Sequence, residues 1–396
     1  MRVEEIEQMD KRFVLPTYGR QHISIIEGNN ARLKDSEGKE YIDFTSGIGV
    51  VSIGHGNERL SNALCNQVRH MIHISNLYLI APQAQCAQKI VENSGYDMQC
   101  FFANSGAEAN EGAIKIARKY GEVDGEAKRY KIITLEHSFH GRTITALKAT
   151  GQEAMHNYFG PFPDGFVYAN SMDEIESLID DHTVAVMIEL VQGEGGVQPL
   201  EREHVQKLAA VLKERNVLLI VDEVQTGIYR TGEFLASQLY DIEPDIITLA
   251  KGLGGGVPIG VVMTSKKEVL QAGDHGSTFG GNYLSTTAAN TVLDVLNEYK
   301  ESGILDEMML YFESQVTACQ REFPELFSES VGFGMMRGLR MKSADALTQM
   351  INRSREEGLL ILKAGKNTLR FLPPLTITKE EIDEGFVRLK RAIATL

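Results

Sequence analysis

The chain has 396 residues, more than one hydrophobic core usually supports, so a large domain and a smaller partner are expected. Apolar residues make up 43% and charged residues 24%, an ordinary globular balance, and the net charge of −14 argues against nucleic acid or anionic membrane as a partner. Anionic small molecules stay open, because a local arginine pair outweighs a distant acidic surface.

In chain order, the opening segment MRVEEIEQMDKRF lacks the apolar core of a signal peptide, so no secretory leader is expected. Residues 22–44 read as strands joined by Gly/Asn turns, with Glu37–Gly38 as a hairpin tip. The middle of the chain alternates short apolar runs with amphipathic stretches. Met98 to Ala103, Lys131 to Leu135, Thr183 to Leu190, Val217 to Val221, Ile246 to Leu249 and Gly260 to Met263 are expected as buried strands. Glu108 to Tyr120 and Arg202 to Arg215 repeat apolar residues three or four apart and are expected as helices. This alternation implies an α/β fold with a mostly parallel sheet covered on both faces. A helix is expected over Thr291 to Glu301, then short strands at Gly338 to Met341 and Leu369 to Leu372, and a closing helix from Lys379. Residues 1–50 and 291–396 are assigned to one small α+β domain, and 51–290 to the large one. No run of about 18 apolar residues occurs, so no membrane-spanning helix is expected.

The four cysteines, Cys65, Cys86, Cys100 and Cys319, are scattered without metal-site spacing and read as reduced thiols of a cytoplasmic protein. His70 and His73 could share a helix face, and His137 and His140 lie in a turn-like segment; neither pair has the companions a zinc site needs, so no metal is expected.

Open parallel sheets bind ligands beyond the carboxyl ends of their strands, so the polar residue after each apolar run matters most. Asn104–Ser105–Gly106–Ala107 follows the first run, Glu189 follows the Thr183–Ile188 stretch of the third, Asp222 follows the fourth and Lys251 the fifth. Lys251, in LAKGLGGG, is poorly placed to reach solvent, and desolvation would make its amine nucleophilic toward a carbonyl; an exposed-loop lysine is the plainer alternative. GLGGG matches neither phosphate-loop pattern. Asp222 ends the apolar run VLLIV and needs a partner such as a protonated pyridine nitrogen, though helix capping or metal ligation fits it equally. Ser105 and Gly106 open a helix whose free amides suit a phosphate. Ser105 with Glu108 also reads as a capping box.

Taken together and in order, NSGAEANEGAIKIAR, HSFHGRT, ELVQGEGG, DEVQTG, AKGLGGGVPIG and HGSTFGGN resemble the class III (omega) aminotransferases over nearly the whole chain. The resemblance implies a fold-type I homodimer with shared active sites that binds pyridoxal 5'-phosphate. It implies Lys251 as Schiff-base lysine and proton carrier, Asp222 on the pyridine nitrogen, Gln225 near the phenolic oxygen and Phe139 on the ring face. Ser105, Gly106 and Ala107 would hold the phosphate, Thr278 would reach the neighbouring subunit's phosphate, and Ser277 would touch substrate. Arg370 would grip an α-carboxylate, Arg142 a distal one, and Glu194 would mask Arg370 while a terminal amine reacts.

The implied reaction moves the terminal amine of N2-acetyl-L-ornithine to 2-oxoglutarate. Ornithine, succinylornithine or N-succinyl-diaminopimelate are alternative donors, with His140 in place of tryptophan leaning away from ornithine, and an aminomutase is a further alternative. Leu190, Tyr229 and Tyr283 depart from the commoner family pattern. Tyr18 and Asn76 are expected near the substrate entrance.

Overall fold

Apolar strands buried end to end set the centre of this molecule. The computed structural model describes residues 1–123 and 126–396. Its main sheet has seven strands, in the spatial order Gln99–Ala103, Gly260–Thr264, Ile246–Leu249, Leu218–Asp222, Thr183–Ile188, Lys131–Leu135 and Phe166–Ala169. Gly260–Thr264 runs antiparallel to both neighbours, and the remaining pairings are parallel. The expected mostly parallel sheet is present, with ends shifted by a residue or two. Thr183–Ile188, Leu218–Asp222 and Ile246–Leu249 are buried along their whole length, which is why they read as continuous apolar runs without polar alternation.

The pleat divides this core between two helical layers. Leu219 and Val221 pack with Val205, Leu208 and Leu212 of helix Arg202–Glu214. Leu218 and Ile220 face the other way, against Ala113, Ile114 and Ala117 of helix Gly106–Tyr120. Burying each such leucine or isoleucine contributes about 1.5–3 kcal/mol, so both helices are fixed against the strands that end at the site.

The two ends of the chain meet. Ile25–Asn29, Arg32–Asp35 and Glu40–Asp43 form an antiparallel meander, which Leu359–Leu360 joins in parallel. Its tip lies where expected: Gly38 has φ 88°, and Asp35 Oδ1 accepts the amides of Glu37 and Lys39 at 2.9 Å each. Phe44, Phe312, Phe371 and Phe386 pack edge-on or tilted, joining this meander to the C-terminal elements. A Cβ at Gly385 would stand 2.2 Å from the Phe44 ring. A second four-stranded sheet contains Met336–Met341 and Thr368–Phe371, and helix Lys379–Ile393 closes the chain.

Several elements differ from expectation, including the unanticipated helices Glu58–His70, Ala81–Ser94 and Ile304–Glu322. The helix expected from Thr291 begins at Tyr283, where the Asn282 side chain accepts the Ser285 amide at 3.0 Å; its first turns, YLSTTAAN, carry too few large apolar residues to show a period. Phe166–Ala169 is an additional strand at the sheet edge, half-buried at its middle residues. No helix among the described residues is long and apolar enough to cross a membrane.

Candidate active site

Register places the chemistry on one edge. Val221 pairs with Ile188 and Ile247, and Asp222 with Thr248, so Glu189, Asp222 and Lys251 follow three adjacent strands at the same end of the sheet. There they line a cavity of about 400 Å³. Ser105, Gly106, Ala107, Phe139, Arg142, Glu194 and Gln225 line it too. Of the residues expected at the site, Arg370 sits just behind this lining, and Ser277 and Thr278 lie outside it.

Lys251 opens a tight turn, Lys251–Gly254, with φ 40°, an uncommon conformation for a residue with a side chain. The turn is fastened from outside: Ser52 Oγ donates to the Gly252 carbonyl at 2.5 Å. Burial holds the Lys251 amine below its ordinary pKa, and the Arg370 charge adds to the effect. A larger share of neutral, nucleophilic amine follows.

Asp222, 4% exposed, is held by donors on both oxygens. Oδ2 accepts from Asn110 Nδ2 and lies against His140 Nδ1, each at 2.8 Å, and Oδ1 accepts the Val224 amide at 3.0 Å. Oδ1 keeps spare acceptor capacity for a cationic nitrogen in the cavity. His140 and Asn110 are the functional neighbours that sequence reasoning missed. Burial alone disfavours an imidazolium at His140, but the hydrogen bond and charge of Asp222 outweigh it, so its pKa lies above the usual histidine value. Beside them, burial pushes the Glu189 carboxyl upward, and Asp222 reinforces the shift. Glu189 Oε2 accepts the Phe139 amide at 2.9 Å and so fixes the aromatic residue over the cavity.

Ser105 caps helix Gly106–Tyr120, its Oγ accepting the Glu108 amide at 3.2 Å. The capping box expected there closes one residue earlier, since Glu108 Oε2 accepts the Asn104 amide at 2.7 Å and Asn104 Nδ2 at 2.8 Å, and the Ser105 amide is left out. First-turn amides such as those of Gly106 and Ala107 have no intrahelical partner and suit an anion. A Cβ at Gly106 would stand 2.7 Å from Val224, a residue of the cavity wall, so the cradle requires glycine.

Arg370 lies on strand Thr368–Phe371 and is 3% exposed. Its Nη1 donates to Glu194 Oε1 at 2.6 Å and reaches Gln225 Oε1 at 3.5 Å, while its buried Nε has no partner among the described residues. The Glu194 backbone is anchored too, accepting the Gly365 amide at 2.8 Å. Arg142 is exposed, lies 5.5 Å from the Phe139 ring centroid, and has no ion-pair partner among the described residues.

Ser277 Oγ accepts from Asn104 Nδ2 at 3.1 Å and from the Gly280 amide at 2.9 Å, while Thr278 is exposed. Asn76 braces that loop, donating to the carbonyls of Ser277 and Gly280 at 3.1 and 2.8 Å. Neither Asn76 nor Tyr18 lines the cavity of this chain, and Tyr18 is 76% exposed. The departures from the family pattern are accommodated locally. Ile228 and Tyr229 have φ 58° and 64°, a geometry glycine adopts more easily, and the Tyr229 hydroxyl donates to Asn297 at 2.7 Å. Tyr283 is the first helical residue, where proline is also favoured, and Leu190 is fully buried.

The assembled groups fit pyridoxal phosphate: a desolvated amine, a carboxylate with spare acceptor capacity, an aromatic wall and a glycine-dependent anion cradle share one cavity. The class-III aminotransferase family matches residues 15–393. An acetylornithine aminotransferase of Wolinella succinogenes is 60% identical over 388 residues, covering 98% of this chain and 99% of that protein. Among solved structures, the ornithine aminotransferase of Toxoplasma gondii, with pyridoxal phosphate at partial occupancy in its active site, superposes with a TM-score of 0.91 at 34% identity. That match covers 99% of this chain and 94% of the other. The N-acetylornithine aminotransferase of Stenotrophomonas maltophilia K279a gives 0.83 at 33% identity, covering 98% of each chain.

Proposed function

The chain belongs to the pyridoxal-phosphate-dependent class-III aminotransferase family, and from that premise we propose that it moves the terminal amine of N2-acetyl-L-ornithine to 2-oxoglutarate. The products are N-acetyl-L-glutamate 5-semialdehyde and L-glutamate, a step of arginine biosynthesis. The observation that carries this reading is the Glu194–Arg370 pair at 2.6 Å beside a cavity whose other arginine, Arg142, is unpaired among the described residues.

Bound pyridoxal phosphate supplies an aldehyde that takes up an amine and a ring that accepts the electrons of the adjacent C–H bond. Ser105, Gly106 and Ala107 would receive its phosphate, Phe139 would cover a ring face, Gln225 would approach the phenolic oxygen, and Asp222 would pair with the ring nitrogen. His140 and Asn110 keep Asp222 aimed. Lys251 would hold the cofactor through its amine and, once free, would take up and return the proton of the donor's amine-bearing carbon.

Acetylornithine has one carboxylate and a capped α-amine. With Arg370 masked by Glu194, that carboxylate goes to Arg142, aided by Ser277, and the terminal amine faces Lys251. Glutamate has two carboxylates, so Glu194 turns aside and Arg370 grips the α-carboxylate while Arg142 keeps the distal one.

The reading extends to a cytoplasmic homodimer with small molecules as its only ligands. The exposed apolar residues Leu77, Tyr78, Leu79 and Phe279 support a subunit contact beside the loop that carries Thr278, which would complete the partner's phosphate site. Four free thiols among the described residues support a reducing compartment. Residues 51–290 form the cofactor-binding domain in this reading, and 1–50 with 291–396 the small domain, supported by the pairing of Leu359–Leu360 with Glu40–Asp43.

The test is glutamate production by holoenzyme from 2-oxoglutarate and each of acetylornithine, succinylornithine, ornithine, N-succinyl-diaminopimelate and 4-aminobutyrate. Acetylornithine is expected to give the highest kcat/KM, with parallel double-reciprocal lines. A higher value for another donor overturns the substrate assignment, and turnover without 2-oxoglutarate would indicate an aminomutase.

A further inference from the structure

The loop from Asp274 to Gly280, which carries Ser277 and Thr278, is fastened at both ends to helix Gly106–Tyr120 and the residues that open it. At the far end Asn104 donates to Ser277 Oγ at 3.1 Å. At the near end Lys115 Nζ donates to the Asp274 carbonyl at 3.1 Å and lies 2.9 Å from His275 Nδ1, and Lys119 pairs with the Asp274 carboxylate. The His275 ring packs tilted against Phe101, with centroids 4.5 Å apart, and its Nε2 edge faces Gly112. An ammonium only donates, so Nδ1 accepts and the imidazole is neutral. The transamination assigned above uses neither Lys115 nor His275.

We propose that Lys115 and His275 are positioning residues, whose hydrogen bond sets the loop bearing Thr278 so that it completes the phosphate site of the partner subunit. The proposal rests on the shared-site reading above. One helix then receives its own subunit's phosphate at its first turn and, further along, holds the loop that serves the other. Loosening the clamp releases cofactor without touching Lys251, Asp222 or the cradle.

Acid opens the clamp as well. Protonated at Nδ1, His275 loses its acceptor and sets a second cation 2.9 Å from the ammonium. The charged groups around the ring are Lys115 and the Lys119–Asp274 pair; Phe101 and Gly112 contribute none. Burial, and then the Lys115 charge, hold the His275 pKa below the usual histidine value, so release comes on the acid side of that value.

The test is the rate at which holoenzyme loses pyridoxal phosphate to cofactor-free buffer, between about pH 5.5 and pH 8. Lys115→Met is expected to lose cofactor about two- to fivefold faster at neutral pH, the effect of one exposed, solvent-screened hydrogen bond. In His275→Asn the amide oxygen still accepts from Lys115 and cannot be protonated. This variant is expected to match the parent at neutral pH and to lack its acceleration in acid. Combining Lys115→Met with Thr278→Ala is expected to be no faster than Thr278→Ala alone. If Thr278→Ala loses cofactor rapidly while Lys115→Met behaves as the parent, the clamp is refuted and the shared site stands. Additive losses, or a His275→Asn protein as leaky as Lys115→Met at neutral pH, refute the clamp too. If Thr278→Ala retains cofactor like the parent, the shared-site reading itself fails.

Discussion

Replacing Glu194 with alanine separates the two halves of the reaction. Glu194 Oε1 holds Arg370 Nη1 at 2.6 Å, so under the proposed assignment glutamate would have to displace this acid before its α-carboxylate binds. The Glu194 side chain is 31% exposed and solvent screens the pair, which puts its strength at about 1–2 kcal/mol, short of a fully buried bridge. Removing the acid should therefore strengthen binding of glutamate and 2-oxoglutarate by about 5–30-fold. Acetylornithine should suffer instead, because an unmasked Arg370 competes with Arg142 for its carboxylate and draws the chain in backwards. The ratio of kcat/KM for acetylornithine over glutamate is expected to fall by at least about tenfold, read from single half-reactions followed by stopped-flow absorbance of the cofactor. A folded Glu194→Ala protein whose ratio stays within about twofold of the parent would refute the masking argument.

Three further predictions follow from the geometry. Gly106→Ala places a methyl 2.7 Å from Val224, an overpacking of about 1–3 kcal/mol, and should weaken cofactor affinity in equilibrium dialysis; unchanged affinity would mean that the first turn is not the phosphate cradle. His140 has a folded pKa above its unfolded value, so its pairing with Asp222 stabilises the cofactor-free protein fully below about pH 6.5 and progressively less as pH rises through the folded pKa. The melting-temperature advantage over His140→Asn should therefore shrink with rising pH, and a constant or growing gap would contradict the pairing. Lys251→Ala should abolish turnover while the protein still binds cofactor, so substantial activity without an added amine would remove Lys251 from the mechanism.

The sheet was legible because its central strands are buried on both faces and carry apolar residues throughout, and because a charged residue ending such a run stands out. That made Asp222 and Lys251 visible, and their order along the chain already implied adjacent strand ends. The edge strand Phe166–Ala169, buried only at its ends, and the small-residue opening of helix Tyr283–Glu301 carry no such contrast. Within the site, side chains that point into the cavity were easier to infer than those that hold them. His140 lies 82 residues from Asp222 in the chain, and Asn110 sits on a helix face whose pattern reports packing alone. The pairing of Glu194 with Arg370 spans 176 residues, and only family resemblance suggested it; spacing gave no sign.

Under the proposed mechanism one amine, at position 251, bonds to the cofactor. Borohydride reduction of the holoenzyme followed by peptide mass mapping measures this directly. A pyridoxyl-phosphate adduct is expected on the peptide containing Lys251, at one equivalent per chain. An adduct on any other lysine, or none, would contradict this mechanism.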